Sequence, residues 1–153
     1  MLRRNFLSLS ALVGLSTITP ISLQAIDFRQ TKVDVWSANT VDDAIRAMYG
    51  TTQTINTGVT ITTPSTATRS ASVPLNIKSD LQAKSVAIFQ DANPEAAVAV
   101  FTIHGNTIID YDLKIKLQSD GTPITITAIV EGEDGKLYSS TKILQVALGT
   151  CDG

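Results

Sequence analysis

The sequence is poor in the residues that build metal centres and disulfide frameworks. Its 153 residues include one cysteine, Cys151, and one histidine, His104. Because zinc and copper sites take several His or Cys ligands, we expect no metal centre and assign His104 a structural or surface role. A single cysteine also excludes an internal disulfide, so this thiol is left for an intermolecular bond or for reactive chemistry.

Motifs for hydrolytic and nucleotide chemistry are missing as well. The chain has no Gly-x-Ser-x-Gly turn, no Gly-rich phosphate loop and no dinucleotide fingerprint. A nucleophilic Cys151 would need a nearby base, and only His104 could serve, although nothing in the sequence places the two together. We therefore predict no cofactor and no catalytic residue, and expect that the protein is not an enzyme.

The first 25 residues have the plan of a secretory signal peptide. Two arginines, Arg3 and Arg4, precede a moderately apolar stretch over residues 6–18, and the segment closes on Ala25. The apolar stretch is short and rich in Ser and Thr, so it makes a poor membrane span. The run "RRNFL" also matches the twin-arginine export pattern. We expect an exported, periplasmic protein with its leader in residues 1–25.

Basic residues are scarce once this leader is set aside. Residues 26–153 hold ten Lys and Arg against fourteen Asp and Glu, a net charge of −4. An acidic domain with interspersed charges is a poor surface for nucleic acid or anionic lipid, so we expect neither partner. The length suits one domain, which we place at residues 26–148.

The remaining pattern favours an all-β fold. One helix is predicted in "NTVDDAIRAMYG", where Thr40 is the N-cap and Gly50 the stop. After Gly50 the pattern changes to period two, and the clearest strand is "IIDYDLKIKLQ", which alternates apolar and charged residues. About seven short strands separated by turns predict an immunoglobulin-like antiparallel β-sandwich with one short N-terminal helix.

The last predicted strand ends near Leu148 and leaves a five-residue arm, "GTCDG", over residues 149–153. Extended, the arm carries the sulfur of Cys151 on the order of 15 Å from the sheet. Position alone leaves two interpretations open. The arm delivers its thiol into a pocket of another protein, or the thiol only crosslinks a partner.

These features resemble the SoxY family of sulfur carriers. The likeness is carried by a twin-arginine leader, an immunoglobulin-like domain and a terminal cysteine between glycines, and by the stretches "VPLNI", "NPEAAVAVF" and "GTCDG". The resemblance implies a periplasmic protein that holds sulfur intermediates covalently on Cys151 during thiosulfate oxidation. It also implies that Gly149 and Gly153 are flexible flanks of the carrier arm.

The resemblance further implies a set of partners. A SoxZ-like subunit forms a heterodimer or heterotetramer with the carrier. The SoxAX cytochrome couples thiosulfate to the cysteine, the manganese-dependent hydrolase SoxB removes sulfate, and the molybdenum enzyme SoxCD oxidises the remaining sulfur where it is present.

Two arm residues depart from the family's glycines. Thr150 is β-branched and stiffens the arm. Asp152 and the terminal carboxylate place negative charge beside the sulfur, and we expect this charge to disfavour the thiolate and to repel thiosulfate. The alternative function is therefore a periplasmic interaction module whose terminal cysteine crosslinks a partner without carrying sulfur.

Overall fold

The structure is a computed structural model and describes residues 26–147. The predicted leader, residues 1–25, and the predicted arm, residues 149–153, lie outside the described residues. Within residues 26–147, three short helices come first: α1 (Phe28–Thr31), α2 (Val33–Ser37) and α3 (Val41–Tyr49). None of these helices is long and apolar enough to cross a membrane.

Eight strands follow the helices and form two sheets. The three-stranded sheet has the order β1-β3-β6 and the five-stranded sheet the order β2-β8-β7-β4-β5. The strands are β1 (Thr60–Thr62), β2 (Thr66–Ala67), β3 (Val73–Ser79), β4 (Ala83–Gln90), β5 (Ala97–Thr102), β6 (Ile109–Ile115), β7 (Ile124–Gly132) and β8 (Leu137–Val146). All pairings are antiparallel except β2 with β8. The predicted immunoglobulin-like sandwich is confirmed.

Helix α3 is the helix that the sequence predicts, with both of its predicted ends. The Thr40 hydroxyl accepts the backbone N–H of Asp43 at the N-terminus, and Gly50 ends the helix at φ 77°. A left-handed C-cap of this kind suits glycine, which has no Cβ to clash. The buried face of α3 consists of Ala44, Ile45 and Met48, so the helix is held by packing on the sheet.

Three short elements, α1, α2 and β2, were not predicted. Helices α1 and α2 have four and five residues, too few for an apolar period to show in the sequence. Residues 63–71 are rich in turn formers, a composition that favours a loop, yet they contain the two-residue strand β2. Parallel pairing with the end of β8 defines β2, and such long-range pairing leaves no local pattern.

The central strand β4 of the five-stranded sheet is buried on both faces. In β4, Val86 and Ile88 face the core between the sheets, whereas Ala87 and Phe89 face the helices. All four side chains are fully buried. Burying an aliphatic or aromatic side chain of this size contributes about 1.5–3 kcal/mol. The central strands are therefore a rigid frame from which β8 carries the chain to its C-terminal end.

Candidate functional site at the end of the last strand

The described chain ends beside β2, and hydrogen bonds hold it there. The backbone N–H of Ala147 donates to the carbonyl oxygen of Ala67 over 2.8 Å. The Ser119 hydroxyl donates to the carbonyl oxygen of Val146 over 3.2 Å, and the Val146 side chain is buried. The root of the predicted arm is therefore a fixed point of the domain.

The predicted sulfur attachment site, Cys151, lies outside the described residues, as does the rest of the predicted arm, Gly149, Thr150, Asp152 and Gly153. Only four residue steps separate Cys151 from Ala147. An extended chain spans at most about 3.6 Å per residue, so the Cα atom of Cys151 lies within about 14 Å of that of Ala147. Any protein that reacts with this thiol must therefore approach the end of β8.

We call this end of the domain the exit face and define it as residues 91–96, residues 117–123 and the end of β8.

Gln90, fully buried at the end of β4, shapes the first loop of the exit face. The side-chain amide of Gln90 donates to the Glu95 carbonyl oxygen over 2.7 Å. Its oxygen accepts the backbone N–H groups of Ala92 and Asn93 over 2.6 and 2.7 Å. The loop therefore closes around a single buried side chain, whose polar groups must be satisfied.

Asn93 then joins this loop to the other sheet. Its side-chain amide donates to the carbonyl oxygen of Lys116 over 2.9 Å, and its side-chain oxygen accepts the backbone N–H of Gln118 over 2.7 Å. From the helical side, the Asn39 amide donates to the Pro94 carbonyl oxygen over 2.8 Å. The stretch "NPEA" is thus clamped between both sheets and the helices.

Fixed negative charge lies on the exit face. The Asp91 carboxylate accepts the backbone N–H of Thr125 over 2.8 Å. The Asp120 carboxylate accepts the hydroxyl and the backbone N–H of Thr122, and these hydrogen bonds lower the pKa of Asp120. Asp91 and Asp120 line a cleft of about 360 Å³ together with Ser119. The end of the described chain therefore lies near two acidic side chains, whose charge favours a basic partner surface.

His104 lies at the opposite end of the five-stranded sheet. Its neighbour Ile103 donates its backbone N–H to the carbonyl oxygen of Lys84, near the start of β4, whereas the exit face adjoins Gln90 at the other end. Six residue steps of strand separate these ends by about 20 Å, beyond the reach of the arm. This distance gives no support for His104 as the base that a nucleophilic Cys151 would need. Within residues 26–147 no three His, Cys, Asp or Glu side chains form a metal-binding group.

A buried polar cluster beneath α3 is also remote from the exit face. The Tyr49 hydroxyl lies 3.3 Å from that of Ser85, which donates to the Glu131 carboxylate over 3.0 Å. Burial raises the pKa of Tyr49 far above its ordinary value, and the hydrogen bond with Ser85 offsets only part of this shift. With no histidine beside Ser85, the cluster anchors α3 to the sheet and does not activate a nucleophile.

Sequence reasoning missed the roles of Gln90 and of the polar cluster. The only local signal for the role of Gln90 is its position, because it ends the apolar run "SVAIFQ" and precedes the turn "DANP". The partners of Tyr49 lie 36 and 82 positions away in the chain. Such contacts appear only once the strands are paired.

A family model described as Sulfur oxidation protein SoxY matches residues 45–151, which is more than half of the chain and extends through Cys151. No curated protein gives a match.

Several solved structures share the fold, among them the two that follow. The sulfur carrier protein SoxY from Chlorobium limicola f thiosulfatophilum is 24% identical, with a TM-score of 0.62, over 71% of this chain and 96% of that chain. A superoxide reductase (neelaredoxin) from Ignicoccus hospitalis is 11% identical, with a TM-score of 0.50, over 59% of this chain and 80% of that chain. Because one sandwich hosts unrelated functions, these likenesses show architecture only.

Proposed function

The chain belongs to the SoxY family of sulfur oxidation proteins, and on this premise we propose that it carries sulfur intermediates covalently on Cys151 during thiosulfate oxidation. The observation that carries the proposal is that the family match runs through Cys151, the only cysteine, four residues beyond a fixed root. A short arm on a rigid domain suits a carrier, because it limits the places where the thiol is presented.

Loading joins the sulfur of Cys151 to the outer sulfur of thiosulfate. Making this S–S bond from a thiol and thiosulfate releases one proton and two electrons, so the step needs an electron acceptor. We assign that role to a SoxAX-type cytochrome. A SoxB-type hydrolase then releases sulfate from the bound chain, and a SoxCD-type enzyme, where present, oxidises the sulfur that stays on the carrier.

The protein is a carrier and not an enzyme in this proposal. Its support is that His104, the only histidine, lies at the far end of the sheet from the exit face. Chemistry at the thiol therefore depends on groups supplied by the partner enzymes. The acidic exit face and Asp152 call for basic rims around the pockets of those enzymes.

The carrier works in the periplasm in complex with a SoxZ-like subunit. The support for export is the twin-arginine leader pattern in residues 1–25. Export also exposes the protein to oxidising conditions, and the chain has no second cysteine that could trap Cys151 in an internal disulfide.

Intact mass spectrometry of the mature protein from thiosulfate-exposed cells tests the proposal. We expect adducts of thiosulfate or sulfur mass that disappear on reduction and that are absent from Cys151→Ser. A bare thiol would contradict sulfur carriage. A protein–protein disulfide without any sulfur adduct would instead support the interaction module that crosslinks a partner.

A further inference from the structure

Strand β5 is an unprotected sheet edge. Proteins protect edges by making them short or charged. Within residues 26–147, the other three edges follow this rule: β1 has three residues, β2 has two, and β6 alternates charged residues along its exposed side, Asp110, Asp112 and Lys114. The β5 sequence "AVAVFT" has six residues without charge or proline. This edge is therefore open to pairing with another strand.

The backbone of β5 presents donors on its free side. The N–H of Ile103 points to β4, where it donates to the carbonyl oxygen of Lys84 over 2.9 Å. Because alternate residues of an antiparallel strand point the same way, the N–H of Phe101 also faces β4, and those of Val100 and Thr102 face outward. In the described part of the chain no strand lies beyond β5 to accept them.

A hollow of about 550 Å³ straddles this edge. Phe28 and Trp36 belong to the helical cluster on one face of β5. On the other face, Phe101 stacks on Tyr111 of β6 with the ring centroids 4.7 Å apart. All six residues of β5 are half-buried. The hollow is thus a slot with aromatic walls that follows the strand, a shape that fits one extended segment.

The helical wall of the slot carries Arg29 and Asp27, and the Asp27 carboxylate accepts the backbone N–H of Arg29 and not its guanidinium. The Arg29 guanidinium stacks 4.3 Å from the centre of the Trp36 ring. Among the residues that the structure describes, no carboxylate forms a salt bridge with Arg29. An occupant with an acidic side chain complements this charge. A second copy of the domain instead brings a second Arg29 and a second pair of aromatic walls against the first.

We propose that the partner subunit of the carrier complex adds an extended strand to the free edge of β5. Its backbone pairs with Val100 and Thr102, its apolar side chains enter the slot, and an acidic side chain meets Arg29. This is recognition by strand addition, in which main-chain hydrogen bonds give affinity and side-chain pockets give specificity. The inference rests on the proposed function for the existence of that subunit.

Amide hydrogen exchange, measured residue by residue by NMR, tests the pairing. The mature chain is compared alone and in complex with its SoxZ-like subunit. We expect the Val100 and Thr102 amides to exchange at least about tenfold more slowly in the complex than in the chain alone. The Phe101 amide is already paired to β4, so its exchange should change little. Unchanged exchange at both outward amides in a stable complex would overturn the proposal. Their protection in the chain alone, through self-association, would also overturn it.

Edge variants supply the second arm of the test. Val100→Lys places charge on the edge, and Thr102→Pro removes an outward N–H without touching the ladder to β4. We expect each to raise the Kd for the subunit at least tenfold. The control Ile143→Lys, at a 63% exposed position on β8, leaves the Kd unchanged. Equal Kd values for all variants that stay folded by circular dichroism would refute strand addition.

The two proposals fail separately. Sulfur adducts on Cys151 with a β5 edge that stays unprotected in the complex would refute only strand addition. Protection of the edge without any adduct would refute only sulfur carriage.

Discussion

Gln90→Met is expected to lower the free energy of unfolding by about 3 kcal/mol. The substitution keeps the length of a fully buried side chain but removes its three hydrogen bonds to Ala92, Asn93 and Glu95. Each such bond contributes about 1 kcal/mol net. Methionine fills the same space without a cavity, so packing adds little to this loss.

Urea unfolding of the mature chain, followed by circular dichroism, measures the effect. Gln145→Met is the matched control, because Gln145 is exposed on β8 and its side chain makes no hydrogen bond within the described residues. We expect the control to change stability by less than about 0.5 kcal/mol. A loss below about 1 kcal/mol for Gln90→Met would show that the loop does not depend on the buried amide.

Two further predictions concern α3. Burial raises the pKa of Tyr49 above its unfolded value of about 10. The stability that this residue contributes is therefore complete below about pH 10 and is lost as the pH rises further. Urea unfolding at increasing pH should show a shallower alkaline loss of stability in Tyr49→Phe than in the parent chain, and parallel curves would contradict this. Thr40→Ala removes the N-cap hydrogen bond to Asp43 and should lower the free energy of unfolding by about 1 kcal/mol. The control Thr52→Ala, at an exposed position, should leave it unchanged. Equal stabilities of the two variants would refute the role of the cap.

Local patterns predicted the parts of the fold that depend on local physics. In β6, Tyr111 and Leu113 are half-buried while Asp110 and Asp112 are exposed, as the period-two pattern requires. The same holds for the capped helix α3, whose start and stop depend on Thr40 and Gly50. Here one buried face selects the register, so the sequence carries the information within a few residues.

The exit face could not be predicted in this way. Its cohesion depends on Asn93 meeting Lys116 and Gln118 across the two sheets, and on Ser119 meeting Val146. Each contact joins segments more than twenty residues apart, and each is a single polar bond with no periodic signature. Cys151 is singled out by the sequence because it is the chain's only cysteine, whereas the exit face is made of common residues.

On these proposals, the exit face and the free edge of β5 bind different partners of the carrier. Enzymes that act on Cys151 must come to the exit face, because the arm reaches only about 14 Å from Ala147. The free edge of β5 is separated from β8 by β7 and β4, three strand spacings or about 14 Å. A subunit that pairs with β5 therefore leaves the end of β8 accessible. On the proposed function, a permanent partner and successive enzymes can then bind the same carrier without competing, as repeated loading and unloading of Cys151 would require.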